Sequence, residues 1–170
     1  AADYNNDGLI DLFVANWNDK NCLYKNLGNF NFQKMIIPGL TNNTYLSEGS
    51  AWGDYDNDGF QDLAVATTRF GNADEADYLY HNNGNNNHWL MIGLEGNVSN
   101  KSAIGAKVRV KAVVNGSAIW QMREISAQSA YCSQNDMRAH FGLADATLVD
   151  SMVIEWPSGI RQYRTGVLPN

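Results

Sequence analysis

Residues 54–67 read DYDNDGFQDLAVAT, and residues 3–16 read DYNNDGLIDLFVAN. The opening nine residues of the later stretch hold four carboxylates: Asp54, Asp56, Asp58 and Asp62. At ~5 Å spacing and an effective dielectric of about 20, each neighbouring like-charged pair costs roughly 3 kcal/mol. A tight turn that gathers such charges is built around something positive, and the chain makes this turn twice.

The two stretches are offset by 51 residues. A second match follows each, LYKNLG at 23–28 and LYHNNG at 79–84, now offset by 56. The later copy therefore carries about five extra residues, within TRFGNADEAD at 68–77. EGSAWG (48–53) precedes the second loop, whereas only Ala1 and Ala2 precede the first. The first copy is thus expected to be cut at its front edge, so that either upstream units precede it or something else covers the open edges. A repeat of roughly 50 residues points to a solenoid or a propeller blade. LFVAN, CLYKN, FNFQKMII and LAVATT are short β-rich runs punctuated by Asn and Gly, and 1–87 shows no sustained helical period. The repeats read as β-meanders. A closed propeller needs about 4–8 blades, so two make an incomplete one. Its open edges are candidates for pairing with a second copy of the chain.

Net charge is −6, from 18 acidic and 12 basic residues. The two loops hold seven of the acids, Asp3, Asp7 and Asp11 in the first and four in the second, which leaves 11 acids against 12 bases elsewhere. The acidity belongs to the loops. No basic stripe is present to release counterions from phosphates, so a nucleic-acid partner is not expected. Twenty-two asparagines and 15 glycines favour turns over long regular elements. Cys22 and Cys132 lie 110 residues apart and read as free, half-buried thiols. No apolar run approaches the ~20 residues of a membrane span, and no signal peptide is visible.

Calcium takes 6–8 oxygens, and a loop with oxygen side chains at positions 1, 3 and 5 can wrap them around one ion. In the second loop these are Asp54, Asp56 and Asp58. Gly59 permits the reversal, Phe60 offers its carbonyl, and Asp62 returns a further carboxylate. The first loop supplies Asp3, Asn5, Asp7, Leu9 (through its carbonyl) and Asp11. An EF-hand requires Glu at position 12 and flanking helices. Position 12 is Val14 in one copy and Val65 in the other, and both lie in strand-like runs. A metal-free Asx turn is the simpler alternative, but the same five-ligand spacing occurring twice weighs against it. Magnesium prefers water and octahedral geometry. Zinc prefers His or Cys, and neither loop contains them. The expected cofactor is Ca²⁺, at two sites.

DYNNDGLIDLFVAN and DYDNDGFQDLAVAT resemble the FG-GAP/VCBS-type repeats of integrin α-subunit propellers and of many extracellular bacterial proteins, over roughly 1–87. The resemblance implies a propeller blade with a calcium loop between two strands. The tripeptide GAP of the family's name is absent.

From Asn87 the texture changes to longer alternating runs: HWLMIGLEG (88–96), AKVRVKAVV (106–114), SAIWQMREIS (117–126), MRAHFGL (137–143), SMVIEW (151–156) and IRQYRTGV (160–167). Turns fall at VNGS, LADAT and WPSG. Six antiparallel strands predict a small sandwich or barrel over 88–170. NHWLMIGLEG, SNKSAIGAKVRV and REISAQSAYCSQNDMRAHFGLADATLVDSMVIEWPSG resemble the ASPIC/UnbV domain, which implies extracellular placement and binding rather than chemistry. Ser133, Asp136, Arg138 and His140 are of catalytic type, yet no nucleophile elbow or phosphate-cradling loop accompanies them, so a structural role is expected. Trp17, Trp52, Trp89, Trp120 and Trp156 are expected in the cores. Asn42, Asn97, Asn100 and Asn115 begin N-glycosylation sequons, a number that chance explains in so Asn-rich a chain.

The sequence thus predicts an all-β chain: two propeller-like blades at 1–87, the first truncated, and a small antiparallel β-domain at 88–170. The expected function is a calcium-binding, non-catalytic, extracellular adhesion or recognition module, secreted or at the cell surface, with a protein or glycan ligand. The alternative is a carbohydrate- or small-molecule-binding accessory module of an enzyme system. The second loop has one more carboxylate than the first and should bind calcium more tightly. In a calorimetric titration, Asp58→Asn should remove the tighter step and Asp7→Asn the weaker one.

Overall fold

The computed structural model describes residues 1–42, 44–68 and 76–170. The described residues form strands and turns with no helix, so none is long and apolar enough to cross a membrane. Most of the second copy's extra segment, residues 69–75, lies outside the described residues. The chain forms two compact units. The first comprises Ala1–Tyr4, Leu9–Asn83 and Gln128–Asp136; the second comprises Asn5–Gly8, Gly84–Ala127 and Met137–Asn170.

The first unit contains β1 (Leu12–Val14), β2 (Trp17–Lys20), β3 (Cys22–Asn26), β4 (Phe32–Met35), β5 (Thr44–Gly53), β6 (Asp62–Thr67) and β7 (Tyr78–Tyr80). They form two antiparallel sheets, β1-β3-β4 and β2-β5-β6-β7. The repeat is visible in the register. Leu12 faces Tyr24 and Phe13 faces Leu23, as Leu63 faces Tyr80 and Ala64 faces Leu79. Ala2 bridges to Asp11 as Gly53 pairs with Asp62. Alternation along these strands buries Phe13, Leu23, Leu63 and Val65, with Trp52 standing edge-on to Phe13 at 6.4 Å between ring centroids. Each fully buried side chain of this kind stabilises by about 1.5–3 kcal/mol.

The copies part company after the second match. Past Asn26 the chain turns at Gly28, a left-handed position with φ of 80°, and returns as β4 beside β3. Past Asn82 no strand returns to β7, which ends its sheet. The partner that β5 gains beyond its two neighbouring strands comes from far along the chain. The Trp52 N–H donates to Asn135 Oδ1 at 3.0 Å, and Asp136 N–H donates to the Trp52 carbonyl at 2.8 Å. The same segment passes over Gly49, where an added Cβ would sit 3.4 Å from the Tyr131 carbonyl oxygen, and over Gly53, 3.4 Å from the Asp136 Cβ. The absence of side chains at both ends of GSAWG lets this backbone run along β5. The SQND run thus lies along β5, bonded through the Asn135 side chain and the Asp136 N–H.

The second unit contains β8 (His88–Ile92), β9 (Lys107–Val114), β10 (Ser117–Glu124), β11 (Ala139–Ala144), β12 (Val149–Glu155) and β13 (Arg161–Val167). These six strands form a four-stranded sheet, β10-β9-β12-β13, and a two-stranded one, β11-β8. On β9, Val108, Val110, Ala112 and Val114 are buried, while Lys107, Arg109 and Lys111 alternate with them outward. The β9–β10 hairpin closes on Asn115 and Gly116, both at positive φ (48° and 75°), as a two-residue turn of this handedness requires. All six residues of β11 are buried, with Phe141 and Leu143 at 0% exposure. Gln121 Nε2 ties β10 to β11 by donating to the Gly142 carbonyl at 2.7 Å, and the Arg123 guanidinium lies 4.9 Å from the Phe141 ring centroid.

The tryptophans do not all follow the core expectation. Trp52 is buried, but Trp17 and Trp120 are 49% and 55% exposed. Trp17 opens β2, an outer strand whose four residues are all exposed, and Trp120 alternates with inward-facing Gln121. Both cysteines are free: Cys22 is buried, whereas Cys132 is exposed rather than half-buried. Phe141→Ala should cost about 3–5 kcal/mol in chemical denaturation. Trp120→Ala should change stability by no more than about 0.5 kcal/mol, because its side chain stands on an open face.

Candidate metal centre

The second acidic loop connects β5 to β6, entirely within the first unit. Its backbone is set by two left-handed positions, Asn57 at φ 62° and Gly59 at φ 90°. Asn6 and Gly8 repeat them in the first loop at 57° and 91°. Asn is among the few residues with a Cβ that enter this region readily. Position 4 of the loop, which carries no expected metal ligand, thus has a backbone role of its own.

These reversals turn the loop's N–H groups onto its carboxylates. Asp54 accepts from Asp58 N–H at 3.1 Å and from Gly59 N–H at 2.9 Å, one on each oxygen. Asp62 accepts from Tyr55 N–H at 3.1 Å and from Asn82 N–H at 2.8 Å. Asp58 Oδ1 accepts from Phe60 N–H at 2.9 Å, and Asp56 Oδ1 from Asp58 N–H at 3.3 Å. Asp54 and Asp62 are buried, while Asp56 and Asp58 are exposed. Burial pushes the Asp54 carboxyl above the usual range; the loop N–H groups oppose that shift, and the Asp58 charge adds to it. Phe60 is buried at the end of the turn.

One oxygen from each of Asp54, Asp56 and Asp62 lies within 4.8 Å of the others. Backbone N–H groups hold the buried carboxylates of Asp54 and Asp62 in place beside Asp56. The donor set therefore fits a hard divalent cation that accepts several carboxylates at once. An access route exists, since Asp54 and Asp62 line a cleft of about 300 Å³ together with Trp52, Tyr55, Leu79 and Asp136.

Two neighbours of the loop are not apparent from the loop's own sequence. His81 Nε2 lies 2.9 Å from Asp56 Oδ2 and 4.0 Å from Asp58 Oδ2, and the Asp56 bond pushes the imidazole pKa above its ordinary value. The loop lacks histidine, yet the next strand brings one to its exposed side. One nitrogen beside four carboxylates leaves the oxygen-rich character of the set intact. Asn82 is the second neighbour. Its N–H holds Asp62, and its side-chain Nδ2 donates to the Gln61 carbonyl at 3.1 Å and the Tyr4 carbonyl at 2.7 Å. Asn26 does the corresponding work in the first copy. Its N–H donates to Asp11 Oδ1 at 2.8 Å and its Nδ2 to the Ile10 carbonyl at 2.9 Å, while Tyr4 N–H donates to Asp11 Oδ2 at 3.2 Å. The signal was the shared Asn of LYKN and LYHN.

The other residues expected in the first loop divide between the units. Asp3, Leu9 and Asp11 belong to the first, with Asp3 and Asp11 at 1% and 0% exposure. Asn5 and Asp7 belong to the second, where Asp7 N–H donates to Asn5 Oδ1 at 3.0 Å.

Paired β-meanders with matching acidic loops, followed by a six-stranded β-unit, define the class. Residues 3–65 match the family model described as an FG-GAP-like repeat, and residues 96–170 match that of ASPIC and UnbV. The chain thus carries FG-GAP-like repeat sequence followed by an ASPIC and UnbV domain, in the order the sequence resemblance implied. No curated protein matches the chain.

Asn82→Ala and Asn26→Ala should each cost about 1–2 kcal/mol, since each strips the donor from a partly buried backbone carbonyl. Denaturation midpoints read the loss.

Proposed function

We propose that the chain is a calcium-binding recognition module that acts outside the cell and catalyses no reaction. The observation that carries this reading is the convergence of Asp54, Asp56 and Asp62 within 4.8 Å, two of the three buried. A cation there relieves the repulsion among the carboxylates and fixes the turn between β5 and β6. Five residues of this chain would hold it: Asp54, Asp56, Asp58 and Asp62 by carboxylate, and Phe60 by its carbonyl. The set expected in the first loop is divided between the two units, so the proposal rests on the second loop.

The placement outside the cell draws on the FG-GAP-like and ASPIC/UnbV resemblance and on calcium chemistry. Extracellular calcium modules work at affinities of about 10⁻⁴–10⁻³ M, where a modest loop suffices. The partner on this reading is a protein or a glycan. Among the described residues β4 and β7 each end a sheet, which suits pairing with another copy of the chain. The non-catalytic reading draws on the ASPIC/UnbV resemblance, which implies binding rather than chemistry.

Folding and metal binding should be coupled. Calcium at a hundred times its dissociation constant stabilises by about 2.7 kcal/mol. For a unit below 100 residues, each kcal/mol moves the melting temperature by about 4–8 °C. Excess EDTA should therefore lower the Tm of the calcium-loaded protein by more than about ten degrees. An unchanged melt, together with no calorimetric heat on adding calcium, would overturn the proposal.

A further inference from the structure

The second unit contains a cleft that the calcium reading does not use. It lies between the loop 95–101 and the turn 156–160 that joins β12 to β13, with a volume of about 160 Å³. Where roughly 10–15 Å³ holds one water, this is room for about a dozen heavy atoms, the size of one pyranose ring.

Both walls are rigid. Gly96 N–H closes the first loop on the Lys101 carbonyl at 3.1 Å. A Cβ at Gly96 would fall 2.2 Å from the Asn100 carbonyl oxygen, so the loop is wound too tightly for any other residue. The turn is closed in both directions, from Trp156 N–H to the Ile160 carbonyl and from Gly159 N–H to the Trp156 carbonyl. Ser99 and Ser158 staple the walls together, hydroxyl to hydroxyl at 3.0 Å, and Ser158 N–H adds a bond to Ser99 Oγ at 3.2 Å. The Trp156 indole is held by its own N–H, which donates to Gln162 Oε1 at 3.0 Å.

The lining is an aromatic ring, the aliphatic side chains of Val98 and Ile160, hydroxyls, carboxamides and a single carboxylate. Asn97, Ser99, Ser158 and Gln162 can both donate and accept, as sugar hydroxyls do. Glu95 supplies the one charged group, already paired with Lys101 at 3.4 Å. With no cation in the lining, phosphate and carboxylate ligands lack a partner. We propose that this cleft binds a neutral pyranose, seated against Trp156 and hydrogen-bonded through Asn97 and Gln162. Pre-formed walls remove the ordering cost that usually weakens such small sites. The site is independent of calcium binding.

The test uses the full chain, ¹⁵N-labelled and made without glycosylation because Asn97 begins a sequon. It is titrated with methyl glucoside, methyl galactoside and methyl N-acetylglucosaminide, each up to tens of millimolar. The Trp156 indole signal is identified by its loss in Trp156→Phe. At least one glycoside should shift the Trp156 indole and the Ser99 amide with saturation, while the Trp120 indole stays still. Gln162 is exposed, so Gln162→Ala should keep the parent melting curve and weaken binding by about 3–10-fold. No saturable shift with any of the three, equal affinity in Gln162→Ala, or matching movement of Trp120 would overturn the proposal.

Discussion

The first unit depends on a carboxylate held from two directions. Asp62 is buried and accepts one N–H from the turn that precedes it and another from Asn82, twenty residues later. Asp11 is held in the same manner by Tyr4 and Asn26. A buried carboxylate without partners costs several kcal/mol, so these bonds are a condition of the fold. They make the acidic turn and the end of the following strand one object. This explains why the two matching motifs travel together in both copies although the segment between them is five residues longer in the second. The latch joins the ends of that segment, and its length is free to vary.

Outside the latch the copies obey different constraints. After Asn26 a left-handed glycine turns the chain back as β4, so the first meander gains an outer strand. After Asn82 the chain continues as β8, which pairs with β11. The second meander is completed instead on its other side, where Asn135 and Asp136 bond to β5. The two glycines of GSAWG mark where that backbone approaches, an ordering that only tertiary contact reveals.

Much of this was legible because the signals are local. The strand runs of both halves, the Asn-Gly hairpin at 115–116 and the inward valines of β9 follow from period-two alternation and turn chemistry. What was not legible depends on pairing between distant segments. His81 is one of three histidines, with nothing in LYHN to say that it meets Asp56; only the register of β6 with β7 brings it there. β2 carries no apolar alternation, since all four of its residues are exposed, and it exists by pairing with β5. Trp17 and Trp120 escape the core because strand position, not side-chain size, decides which face is covered.

The two loops also differ in how much positive charge the chain itself offers them. The first has three aspartates, and its LYKN motif carries Lys25, a permanent cation; the second has four, and LYHN carries His81 in that place. Counting loop and motif together with neutral histidine, the first set sums to −2 and the second to −4. Backbone N–H groups offset some of this but bring no full charge. His81 donates to Asp56, one of the two exposed arms of the set, and leaves the buried pair Asp54 and Asp62 facing each other. On the proposed reading, an external cation has most to do where the chain supplies least. The second loop, with the larger net negative charge, is then where calcium has more to offset.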